Sequence, residues 1–535
     1  MKQKMPGSPL GLDVYTGAWD TPHVVHLLKR TLFGASVADI NYFKGLTMSQ
    51  AVDEILQPSA APATKPLNNY GADPTGVASW QTWVGTGLLY QDPTMNGNRL
   101  GSLQAWWLGQ LLNGGRSIHE KITLFWHNHF AMDAYNDLST IPCELWYNQY
   151  MTLRANALGS FPALVKAVTL DPAMLIFLNG STNTFQAPNE NYGRELQELY
   201  TVGLGLTGTT YTQDDVHNAA RVLTGHSVDV NFNYTFQPGN HDTTNKSFSS
   251  FYGNAIITGY SGSAGSGELD NLLAMIFSTD ESAKFICRKL YNWFVYYKID
   301  DAIETNIITP LATIFRQSNY NITAVLSALF KSQHFFDLVN SGACIIKSPL
   351  DLLVGLCREY RLAIPTDVAG QYNAWTMLSQ RSAGLQQELM AIPLVAGWDA
   401  YREAPQYHEL WINSVTYSDR NFYTDLLIGT GDMMSGTTLR IDAIGFASLL
   451  SAPQDPNQLI NDSLAVLLRP PLTASSVTLI KQTILLGGLT TDQYWTTAWQ
   501  NYVASPSDMG AFTIVDTRLR ALYKYIMDLP EYHLS

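Results

Sequence analysis

The sequence predicts a mainly α protein: a large, multi-helix, bundle-like molecule with a small β insertion around residues 227–260. Three observations carry this expectation. Through most of the 535 residues, apolar side chains recur at i, i+3, i+4 and i+7, the spacing that gathers them on one face of a helix. Strict alternation, the period of a half-buried strand, runs through Val228, Val230, Phe232, Tyr234 and Phe236. No fixed-period repeat points to a solenoid.

Taken in order, His23 to Phe33 reads as the first helix, closed by Gly34, and Ser36 can cap the next. Thr47 precedes an amphipathic stretch ended by Pro58, and residues 57–76 read as a loop. Leu100 to Leu112 is helical and is broken by Gly114-Gly115. Ile118 to Met132 places Ile122, Phe125, Trp126, His129 and Phe130 on one helical face, with His127 pointing elsewhere as a surface or hinge residue. Glu144 to Leu170 is helical with a break at Gly159 to Pro162. Asp171-Pro172 opens a short helix through Leu178, and Asn179 to Asn183 is a turn. The Asn189–Gly203 segment reads as one helix. Thr212 and Asp215 form a capping box for the helix after it, closed by Gly225. Ile256-Ile257-Thr258 is expected to pair with the alternating strand, and Gly259 to Gly267 to be a mobile loop. Beyond 268 the helical expectation covers 269–277, 281–297, 306–316, 322–331, 346–361, 374–388, 418–429, 441–450, 456–468, 475–486, 491–503 and 514–527. Two regions follow, 1–265 with the motifs and the insertion, and 266–535, packed as one continuous unit.

Composition narrows the function. Charged residues are 14% of the chain, against about 25% in ordinary domains, and neutral polar side chains replace them, as suits an exported protein. A net charge of −13 without a basic run argues against nucleic acid and anionic membranes, and no apolar run reaches the ~18 residues of a membrane span. Cys143, Cys287, Cys344 and Cys357 lack metal-ligand spacing and read as buried thiols, with a Cys344–Cys357 bridge open. Met1 to Gly7 leads into no apolar core, so the expectation is a protein that stays inside or a numbered chain without its leader.

The chemistry-bearing residues are concentrated in Pro188 to Gly203. Glu195 and Glu198 are three apart and lie near one helical face, an arrangement that can bind a metal or share a proton as acid and base. Arg194 and Glu198 are i, i+4 and can pair along the helix, which would make the group a structural polar lock. His129 faces the core as a possible ally. His241-Asp242 with Lys246 can add a ligand or base if that loop folds back over Glu195. Gly203-Leu204-Gly205-Leu206-Thr207-Gly208 matches G-x-G-x-x-G, but a helix precedes it, so its glycines read as a left-handed helix cap rather than a dinucleotide loop. Ser261 and Ser263 lack the frame of a nucleophile elbow.

Several ordered motifs resemble the DUF1800 family, a large bacterial family of unknown function. They include His26-Leu27-Leu28-Lys29-Arg30-Thr31-Leu32-Phe33-Gly34, Phe125-Trp126-His127-Asn128-His129-Phe130, Asp171-Pro172-Ala173-Met174, Asn189-Glu190-Asn191 with Arg194-Glu195-Leu196 and Glu198-Leu199, His241-Asp242 with Lys246, Lys347-Ser348-Pro349, Gly397-Trp398 and Trp411-Ile412-Asn413. The family usually has Trp where this chain has His226, which implies a packing role there. The resemblance also implies frequent export and association with a sulfatase-like family, DUF1501.

Two functions follow as expectations. One is a metal-assisted or acid–base hydrolase with Glu195, Glu198 and Arg194 as catalytic groups, and Asn189, Asn191, His241, Asp242 and Lys246 as substrate contacts. A divalent metal would sit on His129 and Glu195. The other is a non-catalytic exported binding protein for a glycan or protein, offering Trp80, Trp83, Tyr90, Trp495 and Trp499 as flat aromatic faces.

Overall fold

The computed structural model describes residues 11–89, 91–205, 210–341 and 344–535, without the side chains of 338–341. Helices dominate, and the described strands form three separate two-stranded antiparallel hairpins. No described helix is long and apolar enough to cross a membrane. One connected hydrophobic cluster runs from Tyr15 to Tyr532.

Local chemistry sets many of the helix ends. The Ser36 hydroxyl accepts the Asp39 N–H at 3.1 Å, and Thr47 and Gln50 close a full capping box. Thr212 and Asp215 close another, as the spacing predicts. Helix Pro93–Asn113 starts a full two turns before the expected Leu100, because Asp92 caps it and Pro93 suits its first turn.

The helix His119–His129 is buried on every face, not one. His127 is accordingly not a surface or hinge residue. It is 1% exposed, its ring meets Trp107 edge-on at 4.9 Å, and its Nε2 accepts the Met390 N–H at 3.1 Å. Asn128 beside it accepts the Trp398 N–H at 2.8 Å. Together the two side chains grip the Met390–Trp398 loop, a distant segment that periodicity on one helix cannot reveal.

The insertion differs from its expected pairing. Residues 228–236 turn back on themselves: His226–Val228 pairs with Tyr234–Phe236, and Ile256–Ile257 pairs with Lys246–Ser247 instead. Asp229 makes the turn, its Oδ1 accepting the N–H groups of Asn231 at 2.8 Å and Asn233 at 2.9 Å. The Gly/Ser run is ordered as a short 3-10 helix, Gly262–Gly267, leading directly into helix Glu268–Phe277. The elements outside the sequence expectations include helix Gln333–Ser341 and a hairpin of Asp432–Met434 with Thr437–Leu439 whose strands are too short to show a period. The four cysteines are free thiols, so no Cys344–Cys357 bridge forms.

Gly397 tests the grip of the buried helix on its loop. Its φ is +98°, and a Cβ there would lie 2.7 Å from Asn128 Oδ1 and 2.8 Å from the Asn128 carbonyl oxygen. Gly397→Ala therefore meets both backbone strain and a clash, and we expect a loss of about 2–4 kcal/mol by urea denaturation. A change below about 0.5 kcal/mol would show the loop to be loosely held.

Candidate functional site

Asn189 caps the signature segment, its Oδ1 accepting the Asn191 N–H at 3.0 Å, while the Asn191 side chain is exposed. The segment is α-helical over Glu190–Glu195 and then widens to a π-helix over Leu196–Thr201. Side-chain bonds hold the wider turn: Thr201 Oγ1 donates to the Leu196 carbonyl at 2.5 Å and Gln197 Nε2 to the Gly193 carbonyl at 2.9 Å. Gly193 lets helix Gln213–Val222 approach closely, since a Cβ there would lie 3.0 Å from the Ala220 nitrogen. The chain then leaves through Gly203 at φ +71°, a left-handed exit. Leu206, Thr207 and Gly208, the rest of the glycine motif, lie outside the described residues, as do Tyr90 and Met1 to Gly7.

This geometry redistributes the expected ion pairs. Arg194 bonds backward to Glu190, Nη2 to Oε2 at 3.2 Å, and to Gln213 Oε1 at 3.0 Å. It does not pair with Glu198, because the i, i+4 relation to Glu190 falls in regular α-helix while the π turn carries Glu198 around. Glu198 accepts instead from the Tyr211 hydroxyl at 3.4 Å. Glu195 is half-buried and makes no hydrogen bond, and burial and then the Glu198 charge hold its carboxyl above the usual range.

His129 meets this helix through its backbone. Its Nε2 donates to the Tyr200 carbonyl at 2.9 Å, and Phe130, Trp126 and Phe125 surround the ring. Burial in that aromatic cage depresses its pKa well below normal. Lys289, absent from the sequence expectations, donates to the Leu199 carbonyl at 3.3 Å, and burial pulls its pKa down to about 8. Among the described residues, no three His, Cys, Asp or Glu side chains gather as metal ligands. His129 and Glu195 belong to no such group among the described residues.

His241, Asp242 and Lys246 form a separate group. His241 Nε2 lies 2.9 Å from Glu268 Oε1, and its Nδ1 lies 2.8 Å from the Thr224 carbonyl oxygen. Lys246 Nζ donates to Glu268 Oε2 at 2.5 Å, and the Tyr260 N–H donates to Oε1 at 2.7 Å. Asp242 pairs with Arg221 at 2.7 Å. The side chains of Glu268 and Lys246 are 0% exposed, so the group ties the insertion to the helical body rather than facing solvent. His226 packs against Tyr234 and bonds its hydroxyl at 2.9 Å.

A profile of the family described as Protein of unknown function (DUF1800) matches residues 26–534. The chain belongs to the DUF1800 family. No curated protein and no solved structure matches it.

In this DUF1800 chain one described cavity with polar walls lies beside the start of the helix that Asp171 caps. It has a volume of about 380 Å³ and is walled by Glu144, Asn148, Asp171, Asn231, Asn233 and Tyr234, among others. Asp171 is 5% exposed and caps helix Pro172–Phe177, its Oδ1 accepting the Met174 N–H at 3.1 Å. Burial nevertheless pushes its carboxyl up to about 7, against the pull of the Met174 and Ala173 N–H groups. Sequence reading sees Asp171-Pro172 only as a helix start, and the other walls come from distant segments. Of the expected aromatic faces, Trp83, Trp495 and Trp499 are buried and Trp80 is 38% exposed.

Glu268 supplies the test of the lock. Glu268→Gln leaves Lys246 and His241 facing no counter-charge, and we expect a loss of about 3–5 kcal/mol in chemical denaturation. The Lys246 and His241 partners and the Tyr260 N–H outweigh burial and hold the Glu268 carboxyl below its usual range. Its contribution is therefore present above the unfolded carboxyl pKa and is lost as pH falls through the folded one. A wild-type acid-unfolding curve matching that of Glu268→Gln would refute this.

Proposed function

We propose that the protein is an acid–base hydrolase for a neutral, polyhydroxylated substrate, with the Asp171 cavity as its site. The observation that carries the reading is a carboxyl raised to about 7 on the wall of a 380 Å³ cavity that also holds Glu144. Hydrolysis of a glycosidic type of bond uses two carboxyl groups in different states, one protonated as acid and one ionised as base or nucleophile. Asp171 suits the acid. Glu144, whose Oε1 accepts the Gly85 N–H at 3.1 Å, supplies the second carboxyl group. The amides of Asn148, Asn231 and Asn233 offer both donors and acceptors to hydroxyl groups.

A second reading keeps the chemistry on the signature helix. It is favoured by Glu195, whose carboxyl is raised without any hydrogen bond beside Glu198. In it Glu195 is the acid, Glu198 the base, and Arg194, Asn189 and Asn191 meet the substrate.

Asp171→Asn separates the two, because Asn retains the helix cap and removes the proton. On a panel of chromogenic glycosides and esters, we expect this variant to lose about 10²–10⁴-fold in kcat, with wild-type activity falling above pH about 7. Loss in Glu195→Gln but not in Asp171→Asn selects the second reading, and full activity in both variants sinks both. Stability gives a readout that needs no substrate. The folded state keeps the Asp171 proton that the unfolded chain releases, so wild-type stability should fall by about 2–4 kcal/mol as pH rises from about 4 to about 7. Asp171→Asn should flatten that slope.

A further inference from the structure

The C-terminal helices surround a second cavity, of about 590 Å³, which shares no residue with the Asp171 cavity. Three segments wall it. Leu485 ends the π turn Ile480–Leu485, Ala498 lies on helix Gln493–Ala504, and Ile514 and Arg518 lie on helix Met509–Asp528.

The walls are mainly aliphatic. Leu485 and Leu486 are buried, whereas Leu489 is 41% and Ile514 55% exposed. Large apolar side chains gathered around one concave space, rather than scattered singly, mark a ligand surface. The volume falls within the range of about 300–1,000 Å³ usual for small-molecule pockets. A flexible alkyl chain suits such walls better than a sugar ring, which is held by flat aromatic faces and free donors. Trp495, the indole of the wall, is 2% exposed, and its Nε1 already donates to the Pro453 carbonyl at 2.8 Å.

One cation stands among these groups. Arg518 is the charged residue of the cavity wall, which holds no carboxylate among the described residues. No hydrogen bond and no ion pair reaches its guanidinium from any described residue. The acidic side chains close to it in sequence are engaged elsewhere, Asp516 with Arg520 at 2.7 Å and Asp492 with Lys481 at 3.2 Å. Gly487 admits the guanidinium: its φ is +60°, and a Cβ there would collide with Arg518. Ile514 and Arg518 are four apart on one helix, so apolar surface and cation lie side by side. A single planar fork matches one carboxylate through two parallel N–H···O bonds. A dianionic phosphate would leave one charge uncompensated.

We propose that this cavity binds a medium-chain fatty carboxylate, its alkyl chain among Leu485, Leu486, Leu489, Ala498 and Ile514 and its carboxylate on the Arg518 fork. The alkyl chain supplies most of the affinity, and the fork sets the orientation and the headgroup preference.

Calorimetric titration of the full chain with sodium decanoate, below its micelle-forming concentration and at constant ionic strength, tests this. One decanoate should bind per chain. Octanoate should bind about 15-fold more weakly, since each buried methylene is worth about fourfold. Arg518→Met keeps an apolar stem and strands no partner. It should weaken decanoate by about 10- to 100-fold and leave the affinity for uncharged 1-octanol within about threefold of wild type. Ala498→Phe should fill the cavity and abolish binding of both ligands. Absence of saturable decanoate binding, octanoate binding as tightly as decanoate, or equal decanoate affinity in wild type and Arg518→Met would overturn the proposal. Wild type binding 1-octanol as tightly as octanoate would overturn the headgroup assignment.

Discussion

The carboxylate of Glu268 is the contact on which the N-terminal half of the structure depends. It sits at the first turn of helix Glu268–Phe277 with no solvent exposure and takes bonds from His241, Lys246 and the Tyr260 backbone. Removing one partner from such a group strands the others in a medium that cannot solvate them. The insertion is therefore pinned to the helical body at one polar point as well as through its apolar contacts. The consequence reaches the cavity. The hairpin ending at Phe236 is followed within a few residues by His241, and its turn and second strand supply Asn231, Asn233 and Tyr234 to the cavity wall. A structural ion pair thus sets the position of residues that face a ligand-sized space.

The signature segment has two faces with different work. On the inner face, Tyr192, Leu196 and Tyr200 are buried, and Tyr192 donates to Thr169 Oγ1 at 2.8 Å. That face backs the short helix capped by Asp171. On the outer face, Glu190, Arg194, Gln213 and His217 form a partly exposed network. Glu195 lies between, and the π turn gives it Glu198 as a neighbouring charge instead of an arginine partner. Single-turn π geometry of this kind is frequent at functional sites, which is one physical reason to keep the second reading in view.

With charged residues only 14% of the chain, placement matters more than number. Lys29, Lys121, Arg154 and Lys246 are buried against carboxylates. Arg30 and Arg420 are buried with donors to spare. The first set behaves as structural glue, and the second keeps guanidinium N–H groups without a hydrogen-bond partner.

Much of the fold was legible in the chain itself. Helical periodicity, the capping box at Thr212 and the turn residues act within four positions, so the local sequence determines them. The family, too, was legible in ordered motifs. What the sequence left open depends on partners far apart in the chain. Periodicity assigned His127 to the surface because it sees one helix, whereas burial depends on the Met390–Trp398 loop that closes over it. The same limit hid the Arg194 pairing, since a π turn arises from Thr201 and Gln197 bonds and from helix packing. Only the tertiary structure decided that Asp171 meets a cavity, that Glu268 meets His241, and that the buried Arg30 guanidinium makes no hydrogen bond. The reason is that burial and charge pairing are properties of assembled surfaces, and a local sequence pattern specifies which residues can be buried but not what they will face.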